Sequence, residues 1–230
     1  MYYAVPELQL QHFEMQQIFQ SAQLNMKAFE LKLNREGVIF TSYSAQHYIF
    51  YIVSGMVKTV TYEHDKELLE DYSYQGELIN WTALTDKTRA GQMAKAMING
   101  TTVIKIPVTE FRELIARDEK MQRRLYKSIN CSLYRAQQRL NAMSLYNSRQ
   151  RLIRFFVEEV RQRGTRIGYE YLLRPMLVHS DIAHITHTSR QTATTTLNEL
   201  RSMGIIDFNR RQMIIRNMDG LLKLAGEVAP

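Results

Sequence analysis

The residues best equipped for chemistry stand together in SRQTATTTLNEL, Ser189 to Leu200. Ala193, Leu197, Leu200 and Met203 recur at intervals of 4, 3 and 3, which predicts a helix that buries this stripe. Arg190, Gln191, Thr194, Thr195 and Asn198 are then turned outward. Arginine pairs with guanine through two hydrogen bonds, glutamine does so with adenine, and a threonine methyl packs on the thymine methyl. Ser189 is a good N-cap, and with Thr192 it can hold a phosphate beside the positive end of the helix. Threonine is a poor helix former, by about a few tenths of a kcal/mol against alanine, so a run of threonines on an outward face calls for a function.

A second set of cations follows in IIDFNRRQMIIR, read as strand, polar turn, strand, with Asn209, Arg210 and Arg211 at the turn. Upstream, Ile182, Ala183 and Ile185 give a short helix its inward face. Two short helices joined by a tight turn, then a two-stranded wing whose arginines reach phosphate, describe a winged helix-turn-helix that reads double-stranded DNA.

Other elements must carry this unit. Between Val38 and Ile106, short β-branched and aromatic runs (YIFYIV, VKTVTY, TTVIKIP) are punctuated by glycines, as in an antiparallel β-rich domain with a short helical lead around Glu14 to Glu30. None of the glycines has the spacing of a phosphate-binding or dinucleotide-binding loop. Past Pro107 the pattern becomes helical. Tyr126, Ile129, Leu133, Ala136, Leu140, Met143 and Asn147 alternate by 3 and 4, a narrow seam that fits a partner helix. Arg151 to Arg163 forms a further helix ended by Gly164, and residues 164 to 176 form a linker or short strand.

The formal charge of +7 is uneven. Residues 1 to 116 carry 10 Lys and Arg against 13 Asp and Glu, residues 117 to 147 carry 7 against 2, and residues 148 to 230 carry 13 against 8. A mildly acidic front joined to a basic rear fits a sensing part followed by a part that meets a polyanion. A single cysteine, Cys131, excludes an internal disulfide framework and a cysteine-built metal site. No apolar leader or membrane-length run is present, so the expected location is the cytoplasm, without membrane association. Glu67, Glu70 and Asp71 lack an accompanying nucleophile and are read as an acidic hairpin end, which argues against an enzyme.

HYIFYIVSGMVK (47 to 58), YQGELI (74 to 79), IPVTEFRELI (106 to 115), HSDIAHITHTSRQTATTTLNEL (179 to 200) and GIIDFNRRQMIIRNMDGLLKLA (204 to 225) together resemble the Crp/Fnr family of transcription regulators over nearly the whole chain. The resemblance implies an α+β architecture: a β-roll of the cyclic-nucleotide-binding type (1–116), a dimerisation helix (117–147) and a winged helix-turn-helix domain (148–230). It implies a homodimer on an inverted-repeat DNA operator, with RNA polymerase as a further partner. By the same resemblance Arg190, Gln191, Thr194 and Thr195 read bases, while His179, Ser180, Ser189, Thr192, Arg210 and Arg211 meet phosphate.

The chain departs from the family in places. Asn80 and Trp81 stand where members that bind cyclic AMP have Gly-Glu, and the phosphate-holding arginine is displaced to Arg89, so cyclic AMP is not the expected effector. A different small molecule, or none, takes its place at Asn80, Trp81 and Arg89. His12, His47 and His64 are the possible haem ligands and are read as ordinary histidines. His179, His184 and His187 are read as phosphate-side histidines rather than a metal site, and no cofactor is expected. His187 replaces the family's turn glycine and Val178 its capping threonine, with Ser180 or His179 as the substitute cap. The competing reading is a small-molecule- or haem-sensing module whose C-terminal domain binds protein.

Overall fold

The computed structural model describes residues 30–64, 66–85 and 90–226, and the chain divides into two compact units, one ending at Gln137 and one beginning at Gln138. In the first, the described strands are β1 (Glu30–Leu33), β2 (Val38–Thr41), β3 (Tyr48–Ser54), β4 (Met56–Glu63), β5 (Lys66–Tyr74), β6 (Leu78–Ile79), β7 (Gln92–Ala96) and β8 (Thr101–Pro107). They form two antiparallel sheets ordered β1-β8-β3-β6 and β2-β7-β4-β5. The expected helical lead lies outside the described residues except for Glu30, which opens β1 as a strand.

The unbroken apolar run of β3 has a direct cause, since the strand is buried on both faces. Phe50 and Ile52 join Phe40, Val57, Ala94 and Val103 in one core cluster. Ile49 and Tyr51 point the other way, into a second cluster with Phe111 of α1 (Val108–Arg117) and Met121 and Leu125 of α2 (Glu119–Leu145). Each such side chain contributes about 1.5 to 3 kcal/mol through burial. Between β3 and β4 only glycine fits: Gly55 has φ +98, and a Cβ there would lie 2.5 Å from Thr101.

Polar contacts fix α2 on the sheets. The Leu78 N–H donates to Ser128 Oγ at 2.9 Å, and Ser128 in turn donates to the Arg124 carbonyl. Arg135, largely buried, donates to Asp71 at 3.1 Å and to Glu77 at 2.9 Å. Burial raises the Glu77 carboxyl above its usual range despite the arginine. The three carboxylates read as an acidic hairpin end are thus distributed along β5 and engaged with neighbouring strands or with α2. Asp71 holds Arg135, Glu70 accepts from Gln92 and Thr61, and Glu67 accepts from Lys58 at 2.9 Å, Lys95 at 2.8 Å and Tyr62 at 2.6 Å.

The second unit holds α3 (Ser148–Arg163), β9 (Thr165–Ile167), β10 (Glu170–Leu173), α4 (His179–Ile185), α5 (Arg190–Ser202), β11 (Ile206–Phe208), β12 (Met213–Ile215) and α6 (Met218–Leu224). The linker or short strand expected over 164 to 176 is a hairpin of two strands, and these extend the wing into a sheet ordered β11-β12-β10-β9. Asn147 does not continue the seam. It caps α3, accepting from the Gln150 N–H at 2.9 Å while the Gln150 side chain accepts from the Asn147 N–H. Among the described residues no helix is long and apolar enough to cross a membrane.

Burial opposes ionisation of Glu67, but its hydrogen bonds from Lys95, Tyr62 and Lys58 prevail and hold its pKa at about 2. A depressed carboxylate contributes stability that is complete above its unfolded pKa and is lost as pH falls through the folded value. Glu67→Gln should therefore flatten the decline in stability between about pH 4.5 and pH 2, as urea titrations across that range would record. An unchanged acid limb would remove Glu67 from the account.

Candidate nucleic-acid interface

The turn between α4 and α5 is built by a local exchange of hydrogen bonds. Thr186, buried, donates its hydroxyl to the Ile182 carbonyl at 2.8 Å, and the Thr188 N–H reaches Ala183 at 2.9 Å. His187 takes the left-handed conformation, φ +49, at the position where the family has glycine. Such a conformation costs about 1 kcal/mol for a residue with a Cβ. Arg151 of α3 fixes the turn from behind, donating to the carbonyls of Thr186 at 2.9 Å, His187 at 2.6 Å and Tyr146 at 2.9 Å. No sequence signal marks Arg151, because a basic residue in the first turn of a helix has no distinctive spacing.

Ser189 caps α5 as expected, its Oγ accepting from the Thr192 N–H at 3.0 Å, and the two hydroxyls lie 2.9 Å apart. Ala193, Leu197 and Leu200 are buried, but the fourth buried side chain is Thr196, 2% exposed, whereas Met203 is 58% exposed. The reason is geometric: α5 ends at Ser202, so Met203 already leaves the stripe ahead of Gly204, φ +71. Arg190, Gln191, Thr195 and Asn198 are exposed. Thr194 is half-buried, and its hydroxyl is engaged: it donates to the Arg190 carbonyl at 2.9 Å and lies 3.0 Å from His179 Nδ1. Val178 caps α4 with no side-chain bond, and neither Ser180 nor His179 replaces it; His179 is turned to Thr194 instead, and Ser180 is half-buried.

In the wing, Asn209 Oδ1 accepts from the N–H groups of Arg211 at 2.8 Å and Gln212 at 3.1 Å, closing the turn. Asp207 receives Arg201 at 2.8 Å and Arg216 at 3.0 Å, and these hydrogen bonds hold its carboxyl below the usual range. Arg201 and Arg216 thereby share one carboxylate. Among the described residues the side chains of Arg190, Arg210 and Arg211 make no hydrogen bond or ion pair, and all three are exposed.

The remaining candidates fall elsewhere. Along α2, Tyr126, Leu133, Leu140 and Met143 are each more than half exposed, while Ile129 packs against the β-roll cluster and Ala136 is half-buried. Asn80 has φ +62, and its amide donates to the carbonyls of Ala45 at 2.6 Å and Tyr48 at 2.7 Å. Trp81 is half-buried against the second core cluster. Arg89 and His12 lie outside the described residues. His47 and His64 are exposed, and among the described residues no group of three or more His, Cys, Asp or Glu is placed to hold a metal.

Residues 150–224 match the family described as the Crp-like helix-turn-helix domain. The chain is 21% identical over 196 residues to the anaerobic regulatory protein of Haemophilus influenzae, covering 84% of this chain and 75% of that protein. A CooA mutant from Carboxydothermus hydrogenoformans superposes with a TM-score of 0.73 at 21% identity, over 90% of this chain and 94% of the other. FixK2 from Bradyrhizobium japonicum does so with a TM-score of 0.72 at 18% identity, over 87% and 98%. The similarity to these solved structures extends through both units and shows the fold.

Proposed function

We propose that this chain, a transcription regulator of the Crp/Fnr type and not an enzyme, acts as a homodimer that reads an inverted-repeat operator with the outward row of α5. The observation that carries this reading is the division of charge in the second unit. Arg201 and Arg216 share the carboxylate of Asp207, while Arg190 on the helix and Arg210 and Arg211 on the wing keep their donors for an outside partner. In this reading Arg190 and Gln191 pair with base edges, and Thr194 and Thr195 offer methyl groups to thymine. His179, Ser180, Ser189, Thr192, Arg210 and Arg211 meet phosphate. Residues 1–116 serve as the sensor, 117–147 as the dimer helix and 148–230 as the DNA-binding domain, acting in the cytoplasm with RNA polymerase as partner.

Arg190→Ala should weaken the cognate site by about 1 to 3 kcal/mol and relax preference at one base pair per half-site, whereas Arg211→Ala should weaken all sequences alike and lower the salt slope by roughly one. Selection from random duplexes should return half-sites roughly 34 to 36 Å apart. Unchanged preference in Arg190→Ala would remove α5 as the reader.

The exposed row Tyr126, Leu133, Leu140 and Met143 supports pairing of α2 with its counterpart. Replacing Leu133 and Leu140 by glutamate should give monomers in light scattering and abolish tight operator binding; a persisting dimer would refute the seam.

Cyclic AMP is not the effector in this reading, because Asn80 and Trp81 occupy the Gly-Glu positions and the Asn80 amide is bonded to the chain's own carbonyls. Calorimetry with cyclic AMP should be silent at micromolar concentration. Saturable heat would overturn the assignment.

A further inference from the structure

His179 stands between the two elements assigned to DNA. Its Nδ1 lies 3.0 Å from the hydroxyl of Thr194 on α5, and its ring meets the edge of Phe208 on β11, centroids 6.0 Å apart at 67°. The tautomer follows from counting hydrogens. Thr194 has one hydroxyl hydrogen and donates it to the Arg190 carbonyl at 2.9 Å, so the contact with His179 requires the proton to sit on Nδ1. Nε2 is then an unprotonated nitrogen on a half-buried ring. A proton can add there without disturbing the bond to Thr194.

The surrounding charges disfavour that proton in the free protein. Partial burial comes first, and the Arg190 guanidinium adds repulsion; together they lower the imidazole below its ordinary range. On its own helix Asp181 is buried two residues further along. Beyond Phe208, Asp207 is shared by Arg201 at 2.8 Å and Arg216 at 3.0 Å, with Arg201 lying over the ring. A phosphate brought against the ring adds negative charge and reverses the balance.

We propose that His179 is a proton-linked DNA contact: as operator phosphate closes on it, Nε2 takes up one proton from solvent, so the operator is held more tightly as pH falls. The inference rests on the DNA-binding reading above and adds regulation to it. Protons are conserved simply: the phosphate stays anionic, the ring becomes imidazolium, and Nδ1–H keeps its bond to Thr194. The same chain of bonds makes His179 a positioning residue for the first turn of α5, since it orders Thr194, which orders the Arg190 carbonyl.

The test is operator affinity of the full-length protein from pH 5.5 to 8 at fixed salt, with native chain, His179→Asn and His64→Asn. Asparagine can keep a donor near the Nδ1 position but does not titrate. Each proton taken up contributes up to roughly tenfold per pH unit, and a dimer carries two such sites. The native protein should gain roughly 10- to 100-fold per pH unit across the histidine range. That dependence should disappear in His179→Asn and persist in His64→Asn, whose histidine is exposed in the first unit. Independently, calorimetry of the native complex in buffers of different ionisation enthalpy should report uptake approaching two protons per dimer. A flat native profile overturns the proposal, as does a slope that survives in His179→Asn. Absence of any duplex binding at every pH would overturn the DNA reading beneath it, a result distinct from both.

Discussion

An α-helix can hide only one side, and on α5 that constraint decides everything else in the interface. Ala193, Thr196, Leu197 and Leu200 are committed to the core, so Arg190, Gln191, Thr195 and Asn198 have nowhere to go but outward. Position is then set from two directions. Arg151 holds the preceding turn by its carbonyls, and the hydroxyls of Ser189 and Thr194 close the first turn of the helix on itself. The outward side chains are thereby aimed by hydrogen bonds within the motif and from α3 behind it, which is how a small motif acquires a fixed register.

The first unit treats its polar groups differently. The carboxylates of β5 and the turn before β6 are all engaged within the unit, with Lys58, Lys95, Gln92 or Arg135. A cluster that looks reactive as a string of letters is a set of braces between strands and between strand and helix. Asn80 belongs to the same economy, since its left-handed backbone and its two donated hydrogen bonds make a glycine position serve as a clasp on the segment from Ala45 to Tyr48.

Periodicity made the sheets, the wing and both helices of the motif legible in the sequence, because burial on one or both faces imprints a repeat. The strands of β3, β4 and β8, the wing of Ile206 to Ile215 and the cap at Ser189 all follow from such repeats. What stayed hidden depends on termini and on single bonds. Met203 fits the stripe by spacing, yet the helix ends one residue before it, and Thr196 is buried although its type suggests surface. Asn147 continues the heptad arithmetic but starts the next helix. Arg151 and the His179–Thr194 contact join residues 35 and 15 apart, and no local pattern encodes a hydrogen bond across such distances.

That capping box at Asn147 has an evolutionary reading. Because the Gln150 N–H is met by the Asn147 side chain and the Asn147 N–H by the Gln150 side chain, the start of α3 is capped within residues 147 to 150, and the segment from Asn147 onward contains its own start signal and core. Recombination at this joint would leave the start of α3 and the elements behind it intact, so that a different upstream part could be joined without recapping the helix.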